Sequence, residues 1–306
     1  MAQILPQQQR EVRRGTIVRP MSPLGIYWSQ SSFHEDTAYV VRDDLIFTAC
    51  HFDQDAHEGD YYSEYDEPTP EEIRLLASLS LPIGPERGSL VLYPSATRIR
   101  LDEHRRLDDP AVIAEAEMLL RRAIKSDVRQ VRGGALMPPG EYRHFHWPLP
   151  DSENEELLSN IDIHDHLIIR GLSTWLKASM LNMHETFGEE ANYPLWISLD
   201  ASFAIIKEVV QATGVQDPSA VDCQTYIHEA FGEENSGLRY FEEFYDDRIM
   251  TMHPRNRFGT FAFAPISHCD FYALQVALRE VYRYILMGRV VDPQLAIDTV
   301  EANLPL

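Results

Sequence analysis

Cysteine is scarce in this chain. Three occur in 306 residues, Cys50, Cys223 and Cys269, an odd number with no shared spacing. That excludes a disulfide-stapled scaffold and fits a reduced, cytoplasmic protein. Long apolar runs are missing too. No stretch approaches the ~18–20 apolar residues needed to span a bilayer, so no membrane partner is expected. The opening residues, MAQILPQQQREVRRG, contain no apolar segment of the kind a secretory signal carries. Cations are in short supply: 27 Lys and Arg face 48 Asp and Glu, a net charge of −21. Such a protein repels polyanions at long range. Any RNA chemistry must therefore use a local basic pocket or a basic partner. A Gly-rich phosphate loop, a GxSxG elbow and paired CxxC or HExxH spacings are all absent. No cofactor and no metal is expected.

What is present divides near a composition shift at PLPDSENEELLSN (148–160), where prolines and acids read as a linker. The expected organisation is α+β: a mixed α/β module over 1–155, then an all-α four-helix bundle over 156–306. In the first half TIVRP, LGIYW, TAYVV, LIFTA, SLVLY and TRIRL read as short strands, rich in β-branched and aromatic residues. Pro110 opens a helical pattern that runs to Ser126, and 71–80 reads as a shorter helix. Acids crowd residues 53–72, with Tyr61, Tyr62 and Tyr65 among them, and read as a solvated loop.

In the second half, spacings of three and four give four apolar stripes. The first is Ile168, Leu172, Trp175, Leu176, Met183 and Phe187. The second is Ile197, Ala201, Ala204, Ile205, Val209 and Ala212, stopped by Gly214. The third is Leu238, Phe241, Phe244, Tyr245 and Met252. The fourth is Phe271, Leu274, Leu278, Val281 and Ile285, stopped by Gly288. Four such helices with modest connections imply a bundle.

The third stripe ends FEEFYDDRIMTMHP. Arg248 follows Phe244 and Tyr245 by four and three residues, so it sits on or beside the apolar stripe. There it snorkels, pairs with an acid such as Asp246 or Glu280, or faces a subunit interface. His253 precedes Pro254, which pushes it out of α geometry and ends the helix. The break matters. Five residues along a continuous helix would turn the two side chains about 140° apart. Arg255 and Arg257 add positive charge to a half in which 10 cations face 25 acids, against 17 facing 23 in the first half.

An arginine and a histidine suit RNA cleavage. The ribose 2′-hydroxyl is an internal nucleophile, so no metal is required. Histidine moves protons near neutral pH, and arginine holds a phosphate and its developing charge.

The FYDD-Arg248-x4-His253 sequence, with a long amphipathic helix after it and GLSTWLKASMLNMHETFGEEANYPLWISLDASFAIIKEVV before it, resembles the HEPN superfamily, in its Apea-like branch. The resemblance covers about 125 residues (roughly 164–288) and says nothing of the first 150. It implies a four-helix bundle carrying a metal-independent endoribonuclease of the defence or toxin type. Arg248 and His253 would be the phosphate-binding and catalytic pair, and the charge of Arg255 and Arg257 beside them makes those two the expected RNA contacts. It further implies a homodimer whose pairs meet at the interface, and a regulatory or antitoxin protein as partner. Ile249 departs from the pattern, because catalytic members often carry a polar residue directly after the arginine. The alternative is a non-catalytic HEPN module for dimerisation or docking.

Weaker constellations remain: Cys50-His51 with His57, His144-x-His146, His164-x-His166, and His268-Cys269. Each reads as surface, capping or packing residues.

Overall fold

The computed structural model describes residues 12–21, 30–42, 45–55, 68–82, 99–101, 104–126, 151–182, 187–231, 240–252 and 268–288. The chain divides into two compact units. One comprises Met1–Glu71 with Pro94–Ala135, the other Glu72–Tyr93 with Leu136–Leu306.

The first unit is built on an antiparallel sheet of β1 (Val12–Met21), β2 (Gln30–His34), β3 (Thr37–Val41), β4 (Ile46–Asp55) and β5 (Ile99–Leu101), in the order β2-β3-β4-β1-β5. Glu35 and Asp36 join β2 to β3, both at positive φ, 48° and 61°. That is the twist a two-residue hairpin turn requires. β1 and β4 pair over ten residues, from Val12↔Asp55 to Met21↔Ile46. Helix α2 (Pro110–Ser126) covers one face. Asp109 accepts from the Ala111 amide at 2.9 Å, a side-chain cap, and Pro110 occupies the first helical position. Val112, Ile113, Ala116 and Leu120 of α2 pack on Val18, Ala38, Val40, Phe47 and Ala49. A large side chain such as Phe47, fully buried, contributes roughly 1.5–3 kcal/mol. Tyr39, Val41, Ile46 and Thr48, on the opposite face, are buried as well. TAYVV accordingly lacks a strict polar alternation.

The second unit is helical: α1 (Pro70–Ser80, apart from its first two residues), α3 (Asp151–Asn160), α4 (His166–Asn182), α5 (Gly188–Ala212), α6 (Ala220–Phe231), α7 (Tyr240–Met252) and α8 (His268–Met287). Local chemistry sets several ends. Asp165 accepts from the Leu167 and Ile168 amides and starts α4. Ser219 and Asp222 form a capping box that starts α6: the Asp222 amide donates to the Ser219 hydroxyl, and Asp222 accepts from the Ser219 amide. Gly288 ends α8 at φ 65°. α4 and α5 share the broadest contact, and α8 lies against α3, α4, α5 and α6.

At the crossing of α4, α5 and α8, Tyr282 donates to the Ser198 carbonyl at 2.8 Å. The Ser198 hydroxyl donates to the Gly171 carbonyl at 2.9 Å. A Cβ at Gly171 would overlap the Tyr282 hydroxyl. Buried ion pairs join α3 to α8: Arg283 meets Glu153 at 2.6 Å and Glu280 at 3.2 Å, and Glu280 also holds Arg279. Arg74 of α1, fully buried, donates to the Ile161 carbonyl at 2.7 Å.

Several expectations change. The stretch read as a linker is α3, with Leu157 and Leu158 buried, because its acids suit a helix N-terminus and its leucines suit a core. The buried residues of α5 include Leu195, Ser198, Leu199, Ala201, Ser202, Ile205, Ile206 and Val210. Ala201 and Ile205 of the expected stripe are buried, but the buried face is broader than that stripe and does not reach its ends. Ile197 and Ala212 are exposed, while serines lie inside because their hydroxyls bond to backbone carbonyls. Phe187 precedes α5 and is exposed rather than part of the first stripe. The second unit holds more helices than four, since α1, α3 and α6 join it. Glu72, expected in a solvated acidic loop, is buried on α1. LGIYW and SLVLY lie outside the described residues, as do Leu238 and the side chains of Met183 and Met252. No described helix is long and apolar enough to cross a membrane.

Candidate functional site

Helix α7 is fixed to α5 by aromatic rings. Tyr240 and Phe241 are buried, and Phe241 meets Phe203 of α5 edge-on at 4.9 Å. Tyr240 meets Phe244 one turn on at 5.4 Å. These contacts bury the start of α7 and bring its later residues alongside α5. Arg248 then lies within reach of Asp200, with Nη1 donating to Oδ1 at 2.8 Å. Neither group is sealed: the side chains are 29% and 36% exposed. The Arg248 guanidinium also sits over the Tyr245 ring, 5.0 Å from its centroid, a favourable cation–π distance. Tyr245 closes the cluster. Burial pushes its hydroxyl up. Its hydrogen bond to Asp200 and that carboxylate's charge push further, and Arg248 opposes them.

Arg248 thus occupies a half-open position on α7, held by an acid and an aromatic ring. A guanidinium has five N–H donors, and Asp200 takes one of them. Chemically the arrangement can offer a pre-oriented cation to an anion arriving from solvent. Of the acids expected as partners, Glu280 is engaged with Arg279 and Arg283, and the Asp246 side chain lies outside the described residues. His253, Arg255 and Arg257 lie outside them too. Among the expected site residues, the structure therefore describes Arg248. Asp200 was missed by sequence reasoning, though a signal existed. It lies three residues after Ile197 and four before Ala204, an acid on one side of α5 that matches an arginine on α7.

The other constellations are described in part. His51 of β4 donates from Nε2 to the Arg105 carbonyl at 2.8 Å and stacks on His104, centroids 4.5 Å apart. The adjacent Cys50 is buried. His164 and His166 are exposed. Among the described residues no group of three or more His, Cys, Asp or Glu could hold a metal ion. His57, His144 and His146, and the side chains of His268 and Cys269, lie outside them. No family model, no curated protein and no solved structure matches the chain.

Proposed function

We propose that the second unit is a HEPN-like bundle acting as a metal-independent RNA endonuclease, of the defence or toxin type. The supporting observation is Arg248: half-open to solvent, on the helix that leads to His253, and oriented by Asp200 and Tyr245. In this reading Arg248 binds the scissile phosphate and stabilises its developing charge. His253 moves the proton of the 2′-hydroxyl or of the leaving oxygen. Attack by the 2′-oxygen breaks the P–O5′ bond, leaving a 2′,3′-cyclic phosphate and a 5′-hydroxyl. Arg255 and Arg257 would hold neighbouring phosphates. A homodimer would bring two such pairs together, and a regulatory or antitoxin protein would restrain them.

The test is incubation of the full chain with single-stranded RNA in excess chelator, followed by end-group analysis. Wild type is expected to yield cyclic-phosphate ends. Arg248→Ala and His253→Ala are each expected to lose at least about 100-fold in rate, the lower end of what one general acid–base group supplies. Undiminished cleavage by both variants would end the reading.

A second reading is favoured by a specific observation. The arginine is engaged with Asp200, and the next residue, Ile249, is 40% exposed where a polar group would serve catalysis better. This suits a non-catalytic module that docks a partner. It predicts no cleavage product from any variant.

A further inference from the structure

We infer that Asp200 is the positioning residue for Arg248: its carboxylate, with the Tyr245 ring, holds the guanidinium in one orientation so that its remaining donors face an incoming phosphodiester. The inference rests on the nuclease reading and adds to it a residue outside the Arg–His pair.

Three observations carry it. First, the contact is between elements. Asp200 lies on α5 and Arg248 on α7, 48 positions apart, with Nη1 to Oδ1 at 2.8 Å. Second, the guanidinium is fixed from a second direction by the Tyr245 ring at 5.0 Å. One hydrogen bond would leave rotation about the bonded nitrogen, and a ring beneath the plane removes much of it. Third, Tyr245 lies beside both partners, since, besides burial, the Asp200 carboxylate pushes its hydroxyl up and Arg248 pushes it down. The pair is not sealed in the core, so packing alone does not require an acid at position 200. Asp200 takes one guanidinium nitrogen, whereas a phosphodiester is held through two parallel N–H donors. One arginine can serve both anions at once.

Positioning and competition make opposite predictions for the same substitution. If Asp200 orients the guanidinium, Asp200→Ala frees it and catalysis suffers. Asp200→Asn keeps an oxygen that accepts from Nη1 and keeps most of the rate. If the acid merely competes with phosphate, Asp200→Asn removes the rival charge, so RNA binds more tightly and is cleaved faster.

The experiment measures kcat and KM for a short single-stranded RNA with wild type, Asp200→Asn and Asp200→Ala. It also records side-chain N–H signals by NMR, with Arg248 assigned by its loss in Arg248→Lys. The expected result is a fall in kcat of about 10–100-fold for Asp200→Ala, the scale of a small misplacement of a catalytic group. KM should change less than about threefold, and Asp200→Asn should stay within about threefold of wild type in both constants. The Arg248 Nε–H signal should be protected from exchange in wild type and Asp200→Asn, and broadened in Asp200→Ala. Unchanged kcat and an unchanged Arg248 signal in Asp200→Ala would overturn the proposal, as would faster cleavage by Asp200→Asn. If wild type cleaves nothing while the Arg248 signal still depends on residue 200, the nuclease reading fails and the orienting role stands.

Discussion

At position 171 the missing side chain of glycine lets α8 approach α4. The Tyr282 hydroxyl occupies the space a Cβ would fill and reaches the Ser198 carbonyl. Burial is the larger cause pushing that hydroxyl above the ordinary tyrosine range, and its bond to Ser198 opposes the shift. A pKa raised in the folded state gives stability that is fully present below the unfolded value of about 10 and lost as pH rises through the higher folded one. Phenolate absorbance should therefore show Tyr282 ionising only together with unfolding. Tyr282→Phe should cost about 1–3 kcal/mol at neutral pH, the price of stranding its buried partners, and should shift the alkaline limb of the denaturation curve. An alkaline titration identical in wild type and Tyr282→Phe would contradict this. Little of the crossing was legible in the sequence. Ser198 and Ser202 do not enter the expected α5 stripe, because a hydroxyl that satisfies itself on a backbone carbonyl looks polar in one dimension.

Among the elements, α3 shows how buried charge fixes a helix. Glu153 ties it to α8 through Arg283, beside the bond that Asn160 donates to the Leu286 carbonyl, and the side chains of Glu153 and Arg283 are nearly inaccessible. Removing one member of a buried pair strands the other, at a cost of about 3–5 kcal/mol. Arg283 keeps Glu280, so Glu153→Ala should lie near about 3 kcal/mol in urea denaturation. The double substitution Glu153→Met with Arg283→Leu should recover part of that loss. Equal stability of Glu153→Ala and wild type would show that the pair does not hold α3. Strong local signals made some elements readable from residue types. Pro110 with the α2 periodicity, TAYVV as β3, and Gly288 at the end of α8 all stand where expected. α3 and α6 were not anticipated. The DSENEE stretch is acidic enough to look like solvent-exposed chain. The Ser219–Asp222 box carries Asp where Glu or Gln is usual.

For the molecule as a whole, net charge sets the conditions of any RNA encounter. A chain at −21 gains nothing from long-range steering, so under the proposed nuclease reading affinity would come from Arg248, Arg255 and Arg257. Each neutralised phosphate of a single strand contributes a slope of about −0.7 to log affinity against log salt, so three give about −2. Binding of the His253→Ala variant to labelled RNA across a salt series should show that shallow dependence. A slope steeper than about −5 would require a broad basic surface and overturn the local-pocket reading. Of the candidate site, Arg248 was legible because an arginine beside an apolar stripe is conspicuous. Asp200 was marked only as an acid among the apolar residues of α5, and its meaning depends on which helix faces which. The sequence also offers no sign that Glu72–Tyr93 belongs with the helical unit, since neighbouring residues are expected to share a fold. That interleaving has a consequence for synthesis at the ribosome. α1 emerges about 80 residues ahead of Ile161, whose carbonyl Arg74 binds, so the charge of Arg74 must stay hydrated while the intervening polypeptide is made. A fragment starting at residue 156 would leave the binding place of α1 vacant, with the Ile161 carbonyl bare, and would need α1 supplied as a separate peptide to close it.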